Sequence, residues 1–357
     1  MLTAESLGRL TISDQVITVN SAATISVDTA NLLEATTTGV VTASITTTET
    51  VSKLNTLTGT NGAYTIVVAT GDATSTTAAE LNTLNGKTTV AVDLTNVTAL
   101  AGSSLSDLET LASAINANEF SNDSGLTTIA VTDTTIDATT LASTIDSYDA
   151  IGGTTDMTLA SGATINVDAG EITEMLTDES AGRLTIGDQV ITVNGATTVD
   201  NANLLGATTT GKLTATIATT ETVTELATLS ADGGTNDLTI VIRAADATLA
   251  TAAQLNTINA ATALAVDLTN VTALAGSSLS DLGTLATAIN ANEFSNDTGL
   301  TTIAVTDTTI DATTLASTID SYDTISGGAT TGMTLASGAS INVDAGEITE
   351  MLTDESA

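Results

Sequence analysis

The 357-residue chain sets 42 acidic residues against six basic ones (Arg9, Lys53, Lys87, Arg183, Lys212 and Arg243) for a formal net charge of -36, and it has no Pro, Cys, His or Trp. That charge repels nucleic acid and anionic membrane. The missing residue types exclude a disulfide framework, a thiol or imidazole nucleophile, and a zinc site of Cys or His.

Thr supplies about a fifth of the residues, several times its ordinary share. The apolar set is Ala, Val, Ile and Leu, with aromatics only at Tyr64, Phe120, Tyr148, Phe294 and Tyr322. Small and β-branched residues suit thin, regular layers. A hydrophobic fraction of 42% with only 13% charged residues predicts order.

In chain order, period-two alternation of β-branched and polar residues predicts strands at 24–27, 65–68, 89–92, 128–131 and 164–167. Apolar spacing of three or four predicts short helices at 77–84, 137–145 and 168–175. These open on Thr or Asp, good N-caps, and Asp168 with Glu171 has the spacing of a capping box. A fuller helix is expected within 105–125, with Leu105, Leu108, Leu111, Ala112 and Ile115 on one face. It recurs within 279–299 and is expected to protrude, marking each long repeat.

MLTAESLGRLTISDQVITVN at Met1 returns as MLTDESAGRLTIGDQVITVN at Met175 and starts again at Met351. Ala91 to Asp149 reappears almost unchanged from Ala265 to Asp323. The organisation read from this is a long repeat at 1–174, a second at 175–350 and the start of a third at 351–357. The expected parent chain is longer. No signal peptide is visible at Met1, and no stretch approaches the length of a membrane-spanning helix.

Alternating strand and helix signals at solenoid-like spacing predict a mixed α/β repeat solenoid. It is expected to be elongated, a parallel β-solenoid with a short helical segment in each coil. The alternative is a tandem pair of all-β sandwich domains.

Without His or Cys, remaining chemistry falls to carboxylates. Calcium takes carboxylate and backbone oxygens in loops. The candidate ligands are Asp133 with Asp137, Asp146 with Asp149, and Asp168 with Glu171. Their later equivalents are Asp307 with Asp311, Asp320 with Asp323, and Asp344 with Glu347. The competing account is that these residues cap helices and turns. The pairs Asp133/Asp137 and Asp146/Asp149 are also formal candidates for a glycan hydrolase. Copies of both pairs in the second repeat argue for structural turns, and the expectation is that the chain is not an enzyme. Asn96, Asn122, Asn270 and Asn296 head glycosylation sequons.

The phrases LNTLNGKTTVAVDLTNVTAL (Leu81 to Leu100) and TTIAVTDTTIDATTLASTIDSYD (Thr127 to Asp149) resemble repeat regions of giant secreted proteins of marine cyanobacteria and related bacteria. The resemblance implies a cell-surface or extracellular setting, in adhesins, S-layer-like coats or fibres. It carries over no catalytic residue. The expected function is a structural building block of an extracellular filament, sheath or surface layer that associates with itself. The alternative is an adhesin stalk that spaces a binding domain encoded elsewhere.

Overall fold

The computed structural model describes residues 10–20, 22–59, 61–151, 155–230, 235–325, 332–344 and 348. Among them are eleven α-helices. They are α1 Val27–Glu34, α2 Val51–Leu54, α3 Ala78–Asn85, α4 Leu105–Asn116, α5 Ala138–Asp149, α6 Ile172–Ser180, α7 Val199–Thr208, α8 Val223–Leu226, α9 Ala252–Ala260, α10 Leu279–Asn290 and α11 Ala312–Ile325. Helix starts are 24 residues apart at the closest (Val27 to Val51) and 34 at the widest (Ala138 to Ile172). Each interval is one segment, with extended chain between one helix and the next.

The helices are short but clearly one-sided. Spacings of three put Ala78, Leu81 and Leu84 of α3 on one buried face, and Ala252, Leu255 and Ile258 of α9 on another. In α4 the buried set is Leu105, Leu108, Leu111, Ala112 and Ile115, the face expected from the sequence. The strands alternate as they must when one side is covered: Val41, Ala43 and Ile45 are buried, Thr42 and Ser44 half-buried. All five aromatic side chains are buried.

Parallel pairing joins the strands, at positions from 20 (Thr24 and Ser44) to 31 (Thr309 and Ser340) residues apart. The chain divides into two compact units, Met1–Ile165 with Glu171–Gln189, and Asn166–Gly170 with Val190–Ala357. In the first, strands Ile17–Thr18 and Thr24–Ile25 pair with Val41–Ile45, which pairs with Ala63–Thr65. A four-stranded sheet follows, in the order Ala99–Ser103, Thr128–Val131, Asp156–Thr158, Leu184–Thr185. In the second unit, Leu213–Ile217 lies between Val190–Thr197 and Asp237–Thr239. Thr302–Val305 lies between Ala273–Ser277 and Gly332–Leu335. Among the described residues these parallel pairings are not those of a sandwich of antiparallel hairpins.

Several details depart from the sequence expectation: Val27, expected to end a strand, opens α1, and the strands expected at 65–68 and 89–92 lie at Ala63–Thr65 and Val92–Asp93. The helix within 105–125 stops at Asn116, and Asn118 takes a left-handed φ of 60°. Instead of protruding, α4 packs between α3 and α5. Asp168 does not open a helix: extended backbone runs to Asp168, and Glu171 is the N-cap of α6, with no side-chain cap bond. The repeat boundary at 174/175 falls inside α6, so the sequence repeat is out of phase with the segments.

Leu108 is fully buried. Leu108→Ala is expected to destabilise the first unit by about 2–5 kcal/mol, read as a lower denaturant midpoint. Unchanged stability would show that this face is not the core.

Candidate functional site

A helix begins with four backbone N–H groups that have no partner inside the helix, at the positive end of its dipole. Two layers of side chains meet this need here. The first is local. Ser26, Thr50, Thr77, Ser104, Asp137, Thr198, Thr222, Thr251 and Ser278 each accept from the N–H three residues on. Thr77/Glu80, Thr222/Glu225 and Thr251/Gln254 complete capping boxes.

The second layer comes from the following segment. In the first unit, Val27 N–H donates to Glu49 Oε1 (3.2 Å), Val51 N–H to Asp72 Oδ2 (2.8 Å), Ala78 N–H to Ser103 Oγ (2.9 Å) and Leu105 N–H to Asp133 Oδ2 (2.8 Å). The second unit repeats three of these four bonds. Val223 N–H donates to Asp246 Oδ2 (2.7 Å), Ala252 N–H to Ser277 Oγ (2.9 Å) and Leu279 N–H to Asp307 Oδ2 (2.8 Å). An anionic acceptor here gains from both hydrogen bond and dipole.

Asn and Thr tie the segments further. Four places after the first residue of α1, α2, α3, α7 and α9 stand Asn31, Asn55 (the C-cap of α2), Asn82, Asn203 and Asn256. Their amides donate to Thr56, Glu80, Asp107, Thr228 and Asp281 carbonyls at 2.9–3.1 Å. Thr88 Oγ1 accepts from Tyr64 N–H (2.9 Å) and donates to Tyr64 O (2.8 Å); Thr262 does the same for Leu238.

The expected calcium ligands fall into this scheme one by one. Asp133 and Asp307 are the cross-segment caps. Asp137 accepts from Thr140 N–H (3.0 Å) and Asp311 from Thr314 N–H (2.9 Å). Those bonds, with the Thr314 hydroxyl, hold the Asp311 carboxyl below the usual range. Asp146 and Asp320 are exposed on α5 and α11, and Asp168 and Asp344 are exposed. Glu171 accepts from the Thr139 hydroxyl, and Asp323 is half-buried. Glu347 lies outside the described residues. Among the described residues no three acidic side chains converge on one point.

The site expected at Asp146/Asp149 already holds a cation of the chain's own. Arg183 Nη1 donates to Asp149 Oδ2 (2.6 Å), and Nη2 reaches Asp178 Oδ1 (2.5 Å). Asp178 is only 2% exposed. Burial raises its pKa, against the pull of Arg183 and with help from Asp146, Glu174 and Asp149. Sequence reading missed this cluster because Arg183 lies 34 residues beyond Asp149.

The sequon amides are engaged as well. Asn96 donates to Val68 O and Asn270 to Ile242 O, both at 2.8 Å. Asn122 donates to Asp93 and Asn296 to Asp267 at 3.0 and 2.9 Å, both from left-handed backbone. A surface groove of about 330 Å³ runs between α9 and α10. Its one carboxylate, Glu293, already accepts from Asn259 (2.6 Å).

No protein-family model and no curated protein matches the chain.

Asp133→Ala is expected to cost about 0.5–2 kcal/mol, the range for losing a helix cap. Asp133→Asn, which keeps an acceptor, is expected to cost less. Denaturant titration checks the order; equal losses would mean that Asp133 does not act as an acceptor. Acid titration tests a second group. The folded pKa of Asp311 is lowered, so its contribution is complete above about pH 4 and fades as pH falls through the folded value. Asp311→Asn is therefore expected to lose less stability on acidification below about pH 4 than the parent. Asp178 has the opposite sign: its raised pKa favours the folded state at low pH, and that contribution fades as pH rises through the folded value.

Proposed function

We propose that the chain is a structural repeat module, a building block of an extracellular filament, sheath or surface layer. In this reading the segments of each unit are coils of a parallel solenoid. The observation that carries it is the cross-segment cap. The same backbone N–H of α1–α4 and α8–α10 is held by an oxygen of the segment that follows, in both repeats. A contact repeated between successive segments can be extended along a chain, which is how repeat proteins build length.

Two further points support the reading over a hydrolase. Of the carboxylates considered for catalysis, Asp133 and Asp137 are both spent on helix starts and Asp149 on Arg183, while Asp146 is exposed. An excess of acid over base keeps such a surface soluble, with its repulsion screened within about 8 Å at physiological salt. The extracellular setting is supported by the resemblance to secreted repeat proteins.

Electron microscopy of the native assembly tests the proposal. The expected image is an ordered array of laterally touching units. Isolated thin stalks would replace it with the adhesin spacer. Turnover on a glycan panel that disappears in the Asp133→Asn, Asp307→Asn double variant would replace it with a hydrolase.

A further inference from the structure

The caps and Asn ties leave the groove of about 330 Å³ between α9 and α10 with acceptors to spare. Thr284 donates its one hydroxyl hydrogen to Ser280 O (3.1 Å), and Thr287 donates its own to Gly283 O (2.8 Å). Both hydroxyls therefore turn only lone pairs toward a ligand. Asn259 gives an amide N–H to Glu293 Oε2 (2.6 Å), so Glu293 Oε1 and Asn259 Oδ1 add further acceptors.

The field in the groove is negative. Asn259 and Ala288 stand in the last turns of α9 and α10, and Ala291 is the C-cap of α10. These are the ends of the two helix dipoles that favour a cation. Neither last turn carries a basic residue, and Glu293 is an exposed carboxylate at the same end. Ala288 and Ala291 add methyl groups to the lining.

The first repeat offers a contrast. There Asn85 donates to Glu119 as Asn259 does to Glu293, and Lys87 stands two residues past Asn85. The second repeat has Ala261 in that place. The ammonium that the chain carries two residues from this Asn in one repeat is missing from the other.

We infer that the groove between α9 and α10 binds a primary alkylammonium, the chemistry shared by a lysine side chain and a free linear amine. Such a group has N–H donors and no acceptor, which suits a lining of oxygens. Its charge lies at Glu293 and the helix ends, and its methylene stem lies over Ala288 and Ala291. A quaternary ammonium has the same charge and no N–H, and is a poor match. The inference does not rest on the structural reading above.

Residue-resolved NMR titration of the 357-residue chain with n-butylammonium chloride, at constant ionic strength, tests it. Saturable shifts are expected, confined to α9, α10 and Glu293. Tetramethylammonium chloride is expected to give no saturable shift there. Glu293→Gln keeps an acceptor for Asn259 and removes the charge, and is expected to weaken binding about fivefold, the weight of one exposed ion pair. Ala291→Leu fills the groove without altering charge and is expected to abolish binding. The contrast between the two ammonium ions on the unaltered chain decides the matter if either variant fails to fold. Two further probes of equal charge separate the sources: tighter binding of Nα-acetyl-lysine methylamide assigns the groove to a protein lysine, and tighter binding of n-pentylammonium assigns it to a free amine. The inference is overturned by an absence of shifts or by shifts scattered over the acidic surface. Shifts that tetramethylammonium reproduces, or that persist unchanged in folded Glu293→Gln and Ala291→Leu, overturn it equally.

Discussion

The hydrogen bond from the first N–H of a helix to an oxygen of the next segment is the constraint around which the rest is arranged. The helices are four to fourteen residues long, and isolated helices shorter than about 12–15 residues are marginal in water. Neither α2 nor α8, at four residues each, would persist alone. Each is held by a local cap, by its buried face, and by Asp72 or Asp246 arriving from the following segment. Helix formation and segment-to-segment docking are therefore one event.

That arrangement explains the odd composition. A layer made of short helices against narrow parallel strands leaves little depth, so Ala, Val, Ile and Leu fill it. Thr appears where a hydroxyl must serve backbone. Thr50 and Thr77 cap helices; Thr88 and Thr262 both accept from and donate to the chain beside them. The acids divide into two groups. Asp72, Asp133, Asp246 and Asp307 act at helix starts in the neighbouring segment. Others, such as Asp146 and Asp320, face water and give the molecule its charge.

Much of this was legible in the sequence wherever the cause is local. The strand at 128–131 was read with its observed bounds, and the buried face of α4 was read residue by residue, because period two and a spacing of three or four are direct imprints of backbone geometry. Asp137 as a cap was legible for the same reason. What the sequence hid is the partner of each long-range contact. Asp133 serves a helix start 28 residues earlier, while Glu49 serves one 22 residues earlier. The offset varies with segment length, so no fixed spacing announces it. Carboxylates read as pairs of neighbours, Asp133 with Asp137 and Asp146 with Asp149, proved to act on different targets, one of them the distant Arg183.

The direction of the caps carries a consequence for synthesis. The oxygen always comes from later in the chain, 21 to 28 residues after the N–H it receives. A growing polypeptide leaving the ribosome thus has one helix start waiting for residues not yet made, however many segments have already settled behind it. Its most recently emerged turn stays open to water until the next stretch arrives, and order advances along the chain in the sense of translation, one short step at a time.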